Sequence, residues 1–404
     1  MRRPFTLFVL ALLLPVAAGK AKDHCKPRSM QEAAWQSRTA CLSVPLDHDN
    51  GEKGPLDVYY ELSIPDAPSM GVIIVFHGGP GFPRARLGKK GPMWRGLRAH
   101  FTMLYFHQRG AGYSGRIAKP EQLVGKRHLY SLDAMVKDTR MLHDKVLGSK
   151  PAVVMGKSAG GFLAMKYALD YPRRVSSLIL ACTSPDHRYI SQREKVKTEF
   201  IYLIQQRHAG FLEAYARASD LTAEGLPAEA LPEEEERSTE RLDNVLFDLS
   251  YVLAGQFEML AIIRDIAHRR WSLLRKRLAR GKQTIKSTGL ESIAILNSIS
   301  CREFDYGKTN RFACIGIKTG PLYDIRGRLS EIKSPALVLS GKYDPILPPR
   351  FQKDITDGLG GTAEWYVLDM SAHMIFMEQE DATAQYVLDF LDVPHQQVGQ
   401  RPAL

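Results

Sequence analysis

Five stretches of this chain are apolar almost without a break: MGVIIVFH (70–77), FTMLYFHQ (101–108), PAVVMGKS (151–158), SSLILACTS (176–184) and PALVLSGKYD (335–344). Such runs, rich in Val, Ile and Leu, predict strands buried on both faces of a parallel sheet, since a half-exposed strand would alternate. AEWYVLDMS (363–371) predicts one more strand. Between them the period changes. SLDAMVKDTRMLHDKVL (131–147) is amphipathic at helical spacing with Ser131 as its cap. SAGGFLAMKYALDYP (158–172) reads as a helix ended by Pro172, and QEDATAQYVLDFL (379–391) as a closing helix. Nearer the start, CLSVPLD and LDVYYELSI read as strands separated by the turn-rich HDNGEKGP. The segment between His77 and Phe101, rich in Gly, Lys and Arg, reads as a loop.

Alternating strand and helix patterns predict βαβ units, hence an α/β fold with a doubly wound, mostly parallel sheet. From 186 to 329 the strand pattern lapses and helical stretches take over, together with an acidic run, Glu233 to Glu236, read as an exposed loop. A helical segment between two halves of a βα pattern predicts an inserted cap. The expected division is a leader at 1–18, the first part of the core at 19–185, the cap at 186–329 and the second part of the core at 330–404.

The leader expectation rests on the first residues. Arg2 and Arg3 precede an apolar stretch from Phe5 to Val16, and Ala17, Ala18 and Gly19 follow. This reads as a cleaved secretory signal, too short to span a bilayer comfortably, so no stable membrane insertion is expected after cleavage. The five cysteines agree with export to an oxidising compartment. Cys25 with Cys41, and Cys301 with Cys314, are expected as disulfides because each pair is close in sequence. Cys182 then remains as a small buried core residue. The formal net charge is +11, and Arg269, Arg270, Arg275, Lys276 and Arg277 cluster. With no nucleic-acid motif beside them, they read as the solvated face of a helix, and no nucleic-acid partner is expected.

GKSAG (156–160) matches G-x-S-x-G where a predicted strand turns into a predicted helix. A sharp turn there lifts a serine oxygen clear of the sheet, and small neighbours allow the strained backbone. Serine needs a base to become a nucleophile. Asp344 follows one later strand and His373 the next, in the order Ser, Asp, His, so Ser158, Asp344 and His373 are the candidate catalytic triad. Asp186 is the alternative acid. HGGPG (77–81) follows the strand GVIIVF. The N–H groups of Gly79 and Ala159 are the candidate oxyanion hole, and His77 reads as a structural hydrogen-bonder.

Those motifs carry a resemblance. HGGPG, HQRGAGYSG (107–115), the GKSAGG elbow, GKYDPILP and SAHMIF resemble the proline iminopeptidase family of α/β-hydrolases. The stretch CLSVPLDHDNGEKGPLDVYYELSIP and Cys301-x-Glu303 resemble its secreted tripeptidyl-aminopeptidase relatives. The resemblance implies release of residues from peptide N-termini through an acyl-enzyme on Ser158, without metal or cofactor, beneath a helical cap that sets specificity. The chain departs from the family pattern at His107, where the family carries an acid, at Ala159, where it carries an aromatic, and at Lys157, where a small residue is common. An aminopeptidase needs a carboxylate for the substrate's ammonium, and Glu303 is the candidate. The alternative substrate is a small ester, taken by a carboxylesterase or lipase using the same triad. An epoxide hydrolase or dehalogenase needs an aspartate where Ser158 stands, and a non-catalytic binder has no need of all three residues.

Overall fold

The computed structural model describes residues 25–26, 28–31, 35–51, 54–83, 91–231, 242–280, 292–308 and 314–393. The expected leader and the acidic run Glu233 to Glu236 lie outside the described residues.

A single nine-stranded sheet runs in the order β1-β2-β3-β5-β4-β6-β7-β8-β9. The strands are β1 (Arg28–Gln31), β2 (Trp35–Pro45), β3 (Pro55–Pro65), β4 (Val72–Phe76), β5 (Thr102–Phe106), β6 (Ala152–Lys157), β7 (Val175–Ala181), β8 (Ala336–Gly341) and β9 (Ala363–Leu368). β1, β2 and β3 are antiparallel, as is the joint between β3 and β5. From β5 through β9 every pairing is parallel. The doubly wound, mostly parallel α/β sheet read from the periodicity is thus the observed one.

The unbroken apolar runs are explained by burial on both sides. Ile74, Phe76, Val154, Leu178, Leu180 and Val338 join one cluster, with α2 (Leu132–Leu147) and α3 (Ala159–Asp170). Ile73, Val153, Met155, Ile179, Leu337 and Leu339 face the opposite cluster, with α1 (Pro92–His100). Successive residues on a strand point to opposite faces, so both sides of each strand must be apolar. Ser131 caps α2, its hydroxyl accepting the Ala134 amide at 3.2 Å.

Two elements correct the sequence reading. The segment between His77 and Phe101 is not all loop, because α1 closes it. That helix holds nine residues, and its Met93, Trp94 and Leu97 are buried. Its signal is weakened by Gly96, which packs against Leu388 of the last helix: a Cβ there would lie 3.0 Å from the Leu388 side chain. The four-residue β1 is likewise too short to stand out.

Between β7 and β8 the described elements are helical: α4 (Arg188–Ser191), α5 (Arg193–Arg207), α6 (Phe211–Leu221), α7 (Leu242–Ser250), α8 (Leu253–Ala267), α9 (Ser272–Ala279) and α10 (Ile293–Glu303), with short 3-10 turns. α5 to α9 share an apolar cluster that includes Tyr343 and Ala372, residues of the loops after β8 and β9, whereas Ala294, Ile295 and Ile299 of α10 join the sheet cluster. This helical insertion therefore seats directly on the sheet edge that carries Asp344 and His373. α11 (Pro349–Gly358), α12 (Ile375–Glu378) and α13 (Glu380–Phe390) complete the chain. Cys25 is bonded to Cys41 and Cys301 to Cys314, the pairs expected from proximity, and Cys182 is free and buried. Among the described residues no helix is long and apolar enough to cross a membrane.

Candidate active site

Ser158 sits between β6 and α3 with φ 55° and ψ −129°. That conformation is costly for a residue with a Cβ, and the surroundings enforce it. The Ser158 amide donates to the Ala181 carbonyl at 2.9 Å. Its own carbonyl accepts from the Gly161 amide at 2.8 Å and from the Thr183 hydroxyl at 2.8 Å. The glycines of the motif are dictated by close approach. A Cβ on Gly160 would lie 2.1 Å from the Phe76 carbonyl oxygen, and one on Gly156 would lie 2.4 Å from that of Gly160.

β6, β7, β8 and β9 are neighbours in that order and parallel, so Ser158, Cys182, Asp344 and His373 all follow strand ends on one sheet edge. That is where sites on open α/β sheets gather. The structure brings two of the three candidate residues into direct contact. His373 Nδ1 lies 2.7 Å from Asp344 Oδ2, and both side chains are buried. Asp344 is held in turn by its own loop, since Oδ1 accepts the Ile346 amide at 2.9 Å and the Leu347 amide at 3.0 Å. An ionised Asp344 requires the proton of His373 to sit on Nδ1, which leaves Nε2 free to accept one. Among the described residues Ser158 is not hydrogen-bonded to His373; such bonds often tighten only when substrate is bound. Asp186, the alternative acid, is committed elsewhere. It takes the Arg188 side chain at 2.8 Å and Arg326 at 3.0 Å.

Burial holds His373 below the usual histidine range; the Asp344 charge opposes this and the Lys157 cation adds to it. Lys157, one residue before Ser158, reaches Met374 with its Nζ 3.6 Å from the sulfur. Its ammonium is held below the usual lysine range by burial, against the pull of Cys182, Asp344 and Glu378. The Lys157 charge therefore acts on both Asp344 and His373.

Gly78 stands directly beside Ser158, for a Cβ on it would lie 3.6 Å from Ser158 Oγ. Gly79 follows with φ 67°, and Ala159 opens α3, where the first N–H groups have no partner within the helix. His77 Nδ1 lies 3.2 Å from the Gly78 carbonyl, and Gln108 donates to the His77 carbonyl at 3.1 Å, bracing the loop from below. His107 serves its own turn, accepting the Tyr113 amide at 3.0 Å. Arg109 is fully buried on Asp138, with Nε 2.7 Å from Oδ2 and a terminal nitrogen 2.5 Å from Oδ1. It also donates to the carbonyls of Leu46 and Leu129.

Glu303 lies at the end of α10. Both of its oxygens face the Leu132 amide, at 3.2 and 3.3 Å, at the start of α2. Burial pushes its carboxyl up to about 7. Its hydrogen bonds thus serve a helix end, and none joins it to Ser158, Asp344 or His373.

Cys182 is the buried core residue that the sequence predicts, and its place beside the Asp344–His373 pair is what the sequence did not show. Among the described residues, Cys182, Asp344 and His373 form the one group whose ligand-type atoms, all buried, lie within 4.8 Å of one another. Asp344 and His373 already bond each other, and burial followed by the Asp344 charge pushes the thiol up. A protonated thiol beside a carboxylate is a hydrogen-bond donor, not a prepared metal ligand.

The model of the alpha/beta hydrolase fold family matches residues 71–380. Proline iminopeptidase PfmaB of Pestalotiopsis fici is 34% identical over 125 residues, which are 31% of this chain and 39% of that protein. The proline iminopeptidase of Saccharolobus solfataricus is 23% identical over 343 residues, 83% of this chain and 89% of that one. The solved structure of Rv0554 from Mycobacterium tuberculosis overlays with a TM-score of 0.50 at 15% identity, covering 88% of this chain and 100% of that one. At that identity the likeness concerns the fold alone. The resemblance drawn from the motifs is borne out: the sequence is proline iminopeptidase-like.

Proposed function

From a chain that belongs to the alpha/beta hydrolase fold family, we propose a serine hydrolase of the aminopeptidase type that releases N-terminal residues, proline among them, from peptides. The observation that carries the reading is the buried 2.7 Å contact of His373 with Asp344, on the same sheet edge as the strained Ser158 turn. Ser158 attacks the substrate carbonyl as His373 Nε2 takes its proton. Asp344 keeps the other ring nitrogen protonated and stabilises the imidazolium that forms. The amides of Gly79 and Ala159 receive the oxyanion, and His373 then returns the proton to the leaving amine. A water activated by His373 frees the acyl group. No step calls for a metal or cofactor.

The helical insertion at 186–329 acts as the cap over this edge, and Glu303 is the candidate partner for the substrate ammonium. The protein is proposed to be secreted or periplasmic. Its two disulfides support an oxidising compartment.

Carboxylesterase action is the second reading, and one observation favours it. Glu303 spends both oxygens on the Leu132 amide, which leaves it less to offer an ammonium. Hydrolysis of aminoacyl arylamides, their N-acetylated forms and short-chain aryl esters separates the readings. Cleavage of free arylamides, proline included, with acetylated ones refused, is the expected result. Cleavage of esters alone overturns the peptidase reading and leaves an esterase.

A further inference from the structure

The loops carrying Asp344 and His373 are tied to the helical insertion by hydrogen bonds that the reaction scheme does not use. The His373 amide donates to the Tyr251 carbonyl at 3.1 Å, and the Tyr251 ring stands edge-on to the imidazole with centroids 5.6 Å apart. Gln256 of α8 donates to the Ser250 carbonyl at 2.8 Å and to the Tyr343 carbonyl at 2.9 Å. The Tyr343 amide in turn donates to the Ser371 carbonyl at 3.0 Å. Glu378 closes the network. One of its oxygens accepts the Ala372 amide at 2.9 Å; the other accepts the Leu253 amide.

The Leu253 bond has a reason. α8 runs for 15 residues, its N-cap residue is Val252, and no side chain of its own caps it. Its first N–H groups need acceptors and carry the positive end of the helix dipole. Glu378, five residues after His373 and the last residue of α12, supplies the missing acceptor. A carboxylate offers one oxygen to each of the Leu253 and Ala372 amides, and an ionised one accepts most strongly.

We propose that Glu378 is a positioning residue, which locks the His373 loop to the first turn of α8 so that the helical insertion sets where the imidazole stands. The inference rests on the triad reading of Ser158, Asp344 and His373. Its mechanical content is that the insertion is not free to swing at this point. Movement of α8 carries the base with it, and a small displacement of the base costs catalysis steeply.

The test uses three variants of the full chain and a fluorophosphonate probe. Glu378→Ala removes both acceptors, and Glu378→Gln keeps one. Leu253→Pro deletes a single N–H at the helix position where proline is best tolerated, leaving Glu378 untouched. Glu378→Ala and Leu253→Pro are expected to lower the maximal inactivation rate kinact about 10- to 100-fold, with KI unchanged. Both should shift the downfield proton resonance of His373 Nδ1–H, and Glu378→Gln should fall between them and the parent. If Glu378→Ala does not fold, Leu253→Pro decides. Folded variants with parental kinact and an unmoved resonance overturn the inference alone. A parent protein that takes no probe at Ser158 overturns the triad reading and this inference with it.

Discussion

Asp344 holds His373 with one carboxylate oxygen and its own loop with the other: Oδ2 lies 2.7 Å from the imidazole, while Oδ1 accepts the Ile346 and Leu347 amides. The carboxylate therefore cannot turn away, and its charge fixes the tautomer of the ring. Asp344→Asn is the cleanest test. Its carbonyl can keep the loop while its NH2 group faces Nδ1 and forces the proton to Nε2. Turnover should fall by about 10⁴-fold with the melting temperature little changed. An activity within tenfold of the parent contradicts this use of Asp344.

Lys157 gives a pH prediction. Among the described residues, Asp344, Cys182 and the ring of Tyr251 stand against His373, and the Lys157 charge acts on it. Burial and then Lys157 depress the imidazole, with Asp344 opposing. The imidazole must be neutral to act as a base, so activity is lost as pH falls through its depressed pKa. Lys157→Met removes the cation, so the pKa rises and the acid limb of kcat/KM moves to higher pH. A limb that stays put or moves lower contradicts the placement of that charge.

Glu303 gives a stability prediction. Its carboxyl is pushed up to about 7 from the ordinary 4.5 by burial, with the Leu132 amide and Arg302 opposing. The raised value means that its contribution is fully present below the ordinary pKa. It is lost as pH rises through about 7, where the buried group must ionise. Glu303→Gln removes that loss. The parent should lose on the order of 3 kcal/mol relative to the variant between acid and neutral pH, read from melting curves across that range. Parallel curves contradict it.

Arg109 is buried with Asp138 as its only carboxylate among the described hydrogen bonds. Asp138→Ala leaves the cation uncompensated and should cost about 3–5 kcal/mol in urea unfolding. Replacing both residues by apolar ones of similar volume should cost less than the single change. A double variant less stable than Asp138→Ala contradicts this account of the pair.

The sheet was legible because its central strands are apolar on both faces: Ile73 and Ile74, or Leu337 and Val338, serve opposite clusters. Asp344 was legible because it follows such a run, β8, and His373 because it follows the strand-like AEWYVL of β9, although that strand is largely half-exposed. What escaped was short or non-local. α1 carries a glycine packed against a residue nearly three hundred positions on, and β1 has four residues. Cys182 read as core and is core, but nothing in SSLILACTS points to its neighbour Asp344. Glu378 sits in the unremarkable run MEQE, and only folding brings it to Leu253. Glu303 shows the limit in the other direction: its spacing from Cys301 is visible, but its commitment to the Leu132 amide is not.

The most direct measurement is the site of attack by a serine-reactive fluorophosphonate, located by peptide mass mapping in the parent and in Ser158→Ala. The account predicts one adduct, on the peptide bearing Ser158, absent from the variant, whose turnover should fall by about 10⁶-fold. An unlabelled parent, an adduct on another residue, or a Ser158→Ala variant with parental turnover would contradict it.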